Sequence, residues 1–171
     1  MRPIHEIVIH AAATRPEWWA DKRSSEKVAE VKLWHTRDRK WSDLGYHAMI
    51  DRDGTVVKGR PETKVPASVK GHNTGTLAVC LFGGFGGSAD DKFKDNFTPA
   101  QDAALRKWIK DKQIQYPTIK KISGHNEYAA KACPTFRVGP WLAQTSATNI
   151  GKPAPTRTIW QVIMDILRGF K

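Results

Sequence analysis

Cysteine is scarce in this 171-residue sequence: Cys80 and Cys133 are the only two. Two cysteines exclude a disulfide framework, and no close C-x-x-C or H-x-x-x-H pair marks a structural zinc module. No apolar run approaches the roughly 20 residues that span a bilayer. The start, Met1-Arg2-Pro3-Ile4-His5-Glu6, lacks an apolar signal core, so the chain is expected to carry no signal peptide and to be made and held in cytoplasm. Internal repeats, low-complexity tracts, a P-loop and an RNA-binding aromatic signature are also missing. Acidic residues are few, 17 against 28 Lys and Arg, which gives a net charge of +11. That balance implies a polyanionic partner. Nucleic acid, bacterial cell wall and anionic membrane surfaces all satisfy it, and charge alone does not choose among them.

What is present argues for a folded domain. Hydrophobic residues make up 40% of the chain and seven are Trp, enough for one buried core at this length. Ile4 to His10 reads as a strand, with Ile7 and Ile9 on one face and Glu6, Val8 and His10 on the other. Arg15 to Lys22 reads as an exposed loop anchored by Trp18 and Trp19, and Ser24 or Ser25 can cap a helix running to about His35. In that helix Val28, Val31, Leu33 and Trp34 supply the apolar positions. Gly45 to Ile50 forms a second strand, and Asp51-Arg52-Asp53-Gly54 turns it into Thr55 to Lys58, since Asp-Gly suits the positive φ of a tight turn. Leu77 to Phe82 is a buried strand in which Cys80 is an inert thiol. Thr98-Pro99-Ala100-Gln101 has the capping-box form, with proline at the first helical position of a helix ending before Tyr116-Pro117.

The expected fold is α/β: a single domain with a central mixed sheet flanked by helices. It should occupy residues 1–144, closed by a short helix from Arg137 to Ala143. Residues 145–158, polar with two prolines, read as a linker. Residues 159–171 read as an amphipathic helix carrying Ile159, Ile163, Ile166 and Phe170 on one stripe.

One stretch concentrates chemistry. From Gly124 to Pro134 the chain offers His125, Glu127, Tyr128, Lys131 and Cys133, just after an apolar and basic run that reads as a strand, Ile119 to Ser123. His125 and Cys133 are good zinc ligands, eight residues apart. Two ligands on one loop leave a metal site incomplete, and three with an open position would make it catalytic. His10, ending the first strand beside the small residues Ala11-Ala12-Ala13, can supply the third. A hydrogen-bonded histidine at the core margin is the competing reading, and position alone leaves both open.

The ordered set of motifs resembles the zinc-dependent N-acetylmuramoyl-L-alanine amidases, in the branch of small phage endolysins. The matching pieces are Val8-Ile9-His10-Ala11-Ala12-Ala13-Thr14, Trp41-Ser42-Asp43-Leu44-Gly45-Tyr46-His47, Arg52-Asp53-Gly54-Thr55-Val56 and Val79-Cys80-Leu81-Phe82-Gly83-Gly84. Asn96-Phe97-Thr98-Pro99-Ala100-Gln101, His125-Asn126-Glu127 and Lys131-Ala132-Cys133-Pro134 complete the order. The resemblance implies one Zn2+ held by His10, His125 and Cys133, with Tyr46 and Lys131 as the other catalytic side chains. It also implies cleavage of the amide between N-acetylmuramic acid and L-alanine, and release from the host cytoplasm to the cell wall at lysis. His72, Asn73 and Glu127 are candidate substrate contacts, and His47 is expected to be structural.

Two positions depart from the family pattern: Ser68, where a histidine is usual, and Gly75, where Asn is usual. Peptidoglycan is the implied partner and a monomer is expected, with no direct nucleic-acid binding. A non-catalytic peptidoglycan-binding module, a second role in binding RNA polymerase, and membrane contact through residues 159–171 are the alternatives the resemblance and the tail leave open.

Overall fold

The computed structural model describes residues 2–144, so the linker and terminal helix expected beyond residue 144 lie outside the described residues. Strand β1 (Glu6–Ala11) is central, flanked by β4 (Thr76–Leu81) and β5 (Lys121–Gly124), and β2 (Ala48–Ile50) and β3 (Val56–Lys58) extend the sheet in the order β3-β2-β4-β1-β5. Only the β2–β3 pair is antiparallel; the remaining pairs are parallel. The sheet is mixed, as the alternation of helical and hairpin patterns implied.

The two faces of β1 separate the layers. Ile7 and Ile9 enter a core shared with Leu105, Trp108 and Ile109 of α3 (Pro99–Gln115) and with Val138 and Trp141 of α4 (Val138–Ala143). On the other face of the sheet, Val28 and Val31 of α1 (Ser24–Leu33) form a smaller cluster with Met49, Cys80 and Phe82. Among the described residues no helix is long and apolar enough to cross a membrane.

Local signals held where they are self-contained. Thr98 Oγ1 accepts from the Gln101 N–H while the Gln101 side chain accepts from the Thr98 N–H, which closes the capping box at α3. Gly54, at φ 88°, completes the β2–β3 turn. A short helix, α2 (Phe93–Asn96), precedes α3 and lay outside the sequence reading.

Three expectations are corrected. The N-cap of α1 is Arg23, whose N–H donates to Glu26 at 3.0 Å, whereas Ser24 Oγ donates to Asp51 at 2.7 Å. Leu33 faces solvent, because the buried side of α1 is taken by Lys27, Val28 and Val31. The strand from Gly45 pairs regularly only from Ala48 onward.

Lys27 and Asp51 form an ion pair at 2.9 Å, with side chains 7% and 5% exposed. Burial opposes ionisation of Asp51, yet hydrogen bonds from Lys27, Ser24 and the Arg52 N–H hold its pKa below the ordinary carboxylate value. Because the folded-state value is depressed, the stability this adds is present at neutral pH and lost as pH falls through the carboxylate range. Asp51→Ala would leave a buried ammonium uncompensated, at a cost of about 3–5 kcal/mol. Chemical denaturation of the variant at pH 7 measures that loss. A difference under 1 kcal/mol, as is usual for exposed ion pairs, would refute it.

Candidate active site

His10 lies near the carboxyl end of β1, and His125 follows directly on β5, the parallel neighbour paired Ile9 to Gly124. Parallel sheets place ligand crevices outside the carboxyl ends of their strands, and here that geometry brings two imidazoles together across 115 residues of sequence. Their ring centroids lie 4.9 Å apart. Cys133 returns on the loop after β5, with Sγ 3.2 Å from the Ala11 N–H and 3.8 Å from His10 Nδ1. One donor atom from each of the three lies within 4.8 Å of the others. One tetrahedral ion, with bonds of about 2.0–2.3 Å, fits this set with small side-chain adjustment.

The electrostatics fit a cation as well. His10 is buried, and its Nε2 has no hydrogen-bond partner. Burial, then the charges of His125 and Lys131, push its pKa well below the usual histidine value, so the ring is neutral, as a metal ligand must be. Burial and Lys131 act on His125 in the same direction. Burial pushes the Cys133 thiol up to about 11, against the opposing Ala11 hydrogen bond and Lys131. Left to itself the thiol keeps its proton, and a bound dication would favour the thiolate.

His125 and Cys133 line a cleft of about 810 Å³, and His10 is buried beside them. Tyr46 borders them, its ring centroid 5.1 Å from that of His10, and Lys131 also lines the cleft. Burial first, then the neighbouring thiols Cys80 and Cys133, raises the Tyr46 phenol well above its ordinary pKa, so it remains a proton donor. No Asp or Glu is found among the described residues lining the cleft, whereas Arg39, Lys70 and Lys131 are.

The substrate-contact candidates divide. Asn73 lines the cleft. Its Oδ1 accepts from the Ser68 and Val69 N–H groups at 2.9 and 2.8 Å, which shapes the loop and leaves its NH2 group. His72 and Glu127 do not line the cleft. Glu127 Oε1 accepts from the Gly124 N–H at 2.7 Å and caps the turn that carries His125. His72 Nε2 lies 2.9 Å from Glu6 Oε2, and its ring stacks on Tyr128 with centroids 4.0 Å apart.

Glu6 is buried on the same face of β1 as His10 and also accepts from Ser123 and Tyr128. Burial works against its ionisation, but these hydrogen bonds hold its pKa below the ordinary value. The buried carboxylate therefore ties the loop bearing Ser68 to the loop bearing His125. Gly75 lies outside the cleft lining. At φ 78° it packs under His5, whose Cε1 would sit 2.0 Å from any added Cβ, so the departure there concerns backbone packing.

His47 has the structural role expected of it. It lies at the irregular entry to β2, where its N–H donates to the Ala78 carbonyl and its Nδ1 accepts from the Ala78 N–H at 2.9 Å, replacing a rung of the sheet ladder. Burial brings its pKa down to about 4.

His35 was missed by the sequence reading. A π-helical turn, Trp34–Asp38, follows α1 and leaves both Trp34 and His35 on the cleft wall. His35 Nδ1 accepts from the Gly45 N–H at 3.0 Å, and its ring packs edge-on to Tyr46 at 5.4 Å. Burial, with Arg39 and Arg60, lowers its pKa to about 4. The available signal was Trp34-His35 at the end of a helix, shortly before Trp41 and Tyr46.

Residues 1–136 match the family described as N-acetylmuramoyl-L-alanine amidase. The endolysin of Escherichia phage T7 is 39% identical over 137 residues, covering 79% of this chain and 83% of that one. Two solved structures share the fold. The Ph2119 endolysin from a Thermus scotoductus bacteriophage matches at TM-score 0.65 and 22% identity, over 84% of both chains. Drosophila PGRP-LB matches at TM-score 0.67 and 19% identity, over 89% of this chain and 87% of that one. The family match over most of the chain, with endolysin identity well above what fold alone requires, makes this chain a member of the N-acetylmuramoyl-L-alanine amidase family and a phage-type peptidoglycan amidase.

Proposed function

We propose that residues 1–144 form a zinc-dependent catalytic domain that hydrolyses the amide between N-acetylmuramic acid and the L-alanine of the stem peptide, with residues 145–158 as a linker and 159–171 as an amphipathic helix. The observation that carries this reading is the convergence of buried His10 with His125 and Cys133, the last two lining a cleft that Tyr46 and Lys131 also line. A Zn2+ bound there would supply Lewis acidity toward the scissile carbonyl and a nucleophile from water at neutral pH.

The protein's own groups supply the rest. Tyr46 keeps its proton and offers a hydrogen bond to the developing oxyanion, and Lys131 offers positive charge from the opposite side of the sequence. Either can pass a proton to the departing amine. Arg39 and Lys70 favour an anionic peptide in the cleft, which contains no carboxylate to repel it among the described residues. Glu127 is engaged in capping its own turn, so proton removal from the attacking water is assigned elsewhere in this reading.

The proposal places the enzyme in the host cytoplasm until lysis and at the cell wall thereafter. A recognition module without activity is the second reading, favoured by the PGRP-like fold. The thiol of Cys133, aimed at both histidines, argues for cleavage. RNA polymerase binding and membrane contact through residues 159–171 rest on the resemblance and on the terminal sequence respectively.

The test is product chemistry on purified peptidoglycan, with metal content measured on the same preparation. New L-alanine amino termini without new reducing sugar ends, and one zinc per chain, are the expected outcome. Metal-free protein that binds the wall without cutting would leave the recognition reading in its place.

A further inference from the structure

The cleavage chemistry makes no use of the Trp18–Trp19 pair. Trp19 sits at φ 51°, a left-handed conformation that is unfavourable for any residue but glycine. Its ring stacks on Trp18 with centroids 5.0 Å apart and planes 8° apart. Trp18 packs in turn on Phe82 at 5.7 Å and on Trp34 at 5.3 Å, and Trp34 lines the cleft. Two ring-to-ring steps thus lead from the cleft wall to a Trp that is 37% exposed.

A second exposed ring is joined to this path through Arg15. Thr14 bridges to Gly84, which brings the following residues together: the Arg15 guanidinium covers Phe85 at 4.1 Å, and Phe85 is 53% exposed. The Trp18 N–H donates to the Arg15 carbonyl at 3.1 Å, closing the loop that holds both. Core packing accounts for Trp18. It does not account for a strained, outward Trp19, and strain of this kind persists where the surrounding structure enforces it and clusters at functional sites.

We propose that Trp19, Phe85 and Arg15 form a subsite for the glycan strand of peptidoglycan, next to the cleft that takes the stem peptide. The inference rests on the peptidoglycan reading of that cleft. The scissile amide hangs from a sugar within a polymer, so the strand must leave the cleft over neighbouring surface, and the Trp34–Trp18–Trp19 path is continuous with it. A pyranose presents an apolar C–H face and a rim of hydroxyls. Flat aromatic faces match the first, and a guanidinium with several N–H donors matches the second.

The test compares two substrates with the full-length chain and its Trp19→Gly and Phe85→Ala variants. Glycine removes the ring and accepts the positive φ without strain, so Trp19→Gly should fold, and a thermal melt confirms it. On intact peptidoglycan each variant should raise KM about tenfold with kcat unchanged, the loss expected for one aromatic stack. On a soluble muramoyl-peptide with a single sugar, both constants should stay within about twofold of the parent. Equal loss on both substrates, or no loss on either, overturns the subsite.

Binding to peptide-free glycan strands, followed by Trp fluorescence, keeps the subsite separable from the cleavage reading. If the parent chain cuts neither substrate, tenfold weaker strand binding by Trp19→Gly still supports the subsite. Failure of the parent chain to bind the strands, or binding unchanged in the variant, overturns it. Binding of a protein partner at these rings with no response to glycan also overturns it.

Discussion

Cys133→Ala is expected to abolish zinc binding and to lower peptidoglycan hydrolysis by about a thousandfold or more. The metal is asked to provide several kcal/mol of transition-state stabilisation, and each 1.4 kcal/mol, roughly, is tenfold in rate. Cys133 is the donor whose loss should matter most, because it is the one anionic ligand in the set. With thiolate and two neutral imidazoles the bound ion keeps one formal positive charge. The imidazoles alone would fall one short of the three protein ligands that a catalytic zinc site uses.

The fold should survive the substitution. The sulfur's contacts are the Ala11 backbone and His10, and the removed atoms are few. Metal content, a thermal melt and release of L-alanine amino termini, measured on one preparation, decide the matter. A folded variant that keeps zinc and full activity would move the catalytic centre away from this triad.

Tyr46→Phe should retain zinc and substrate binding while kcat falls by about a hundred- to a thousandfold, the usual cost of one oxyanion donor. The ring remains to pack against His10 and His35, so the variant removes the hydroxyl alone. Burial and the two nearby thiols keep the phenol protonated far above neutrality. The shape of the pH–rate profile across the neutral range should therefore be the same in parent and variant, with only its height changed. A variant with parental kcat would remove Tyr46 from the reaction. One with raised KM and unchanged kcat would make it a binding contact.

The sequence was most legible where physics is local. A capping box needs four residues, so Thr98-Pro99-Ala100-Gln101 announced the start of α3. A period of two over Ile7, Val8, Ile9 and His10 was enough to separate the core face of β1 from the face that carries the site. Asp-Gly chemistry placed the β2–β3 turn. The ordered motifs then pointed to the family, and the residues they implied for the metal meet in space.

Where side chains answer to partners distant in sequence, local reading fell short. Ser24 looked like a cap, but Asp51 lies within reach of its hydroxyl and Glu26 reaches back to Arg23 instead. His72 was a candidate substrate contact, four residues from Ser68, where the family usually has a histidine. The buried carboxylate of Glu6, 66 residues earlier, holds it outside. His35 looked like the end of a helix, and only a π-helical turn leaves it on the cleft wall.

The class of fold and the family were therefore readable from residue type, short spacing and order along the chain, and the family resemblance in turn implied the side chains offered to a metal. Tertiary structure alone decided that His10 and His125 face one another and which candidates line the cleft. Both follow from the parallel pairing of Ile9 with Gly124 and from the hydrogen bonds gathered by Glu6. Register and long-range pairing are properties of the packed sheet, and no window of the sequence contains them.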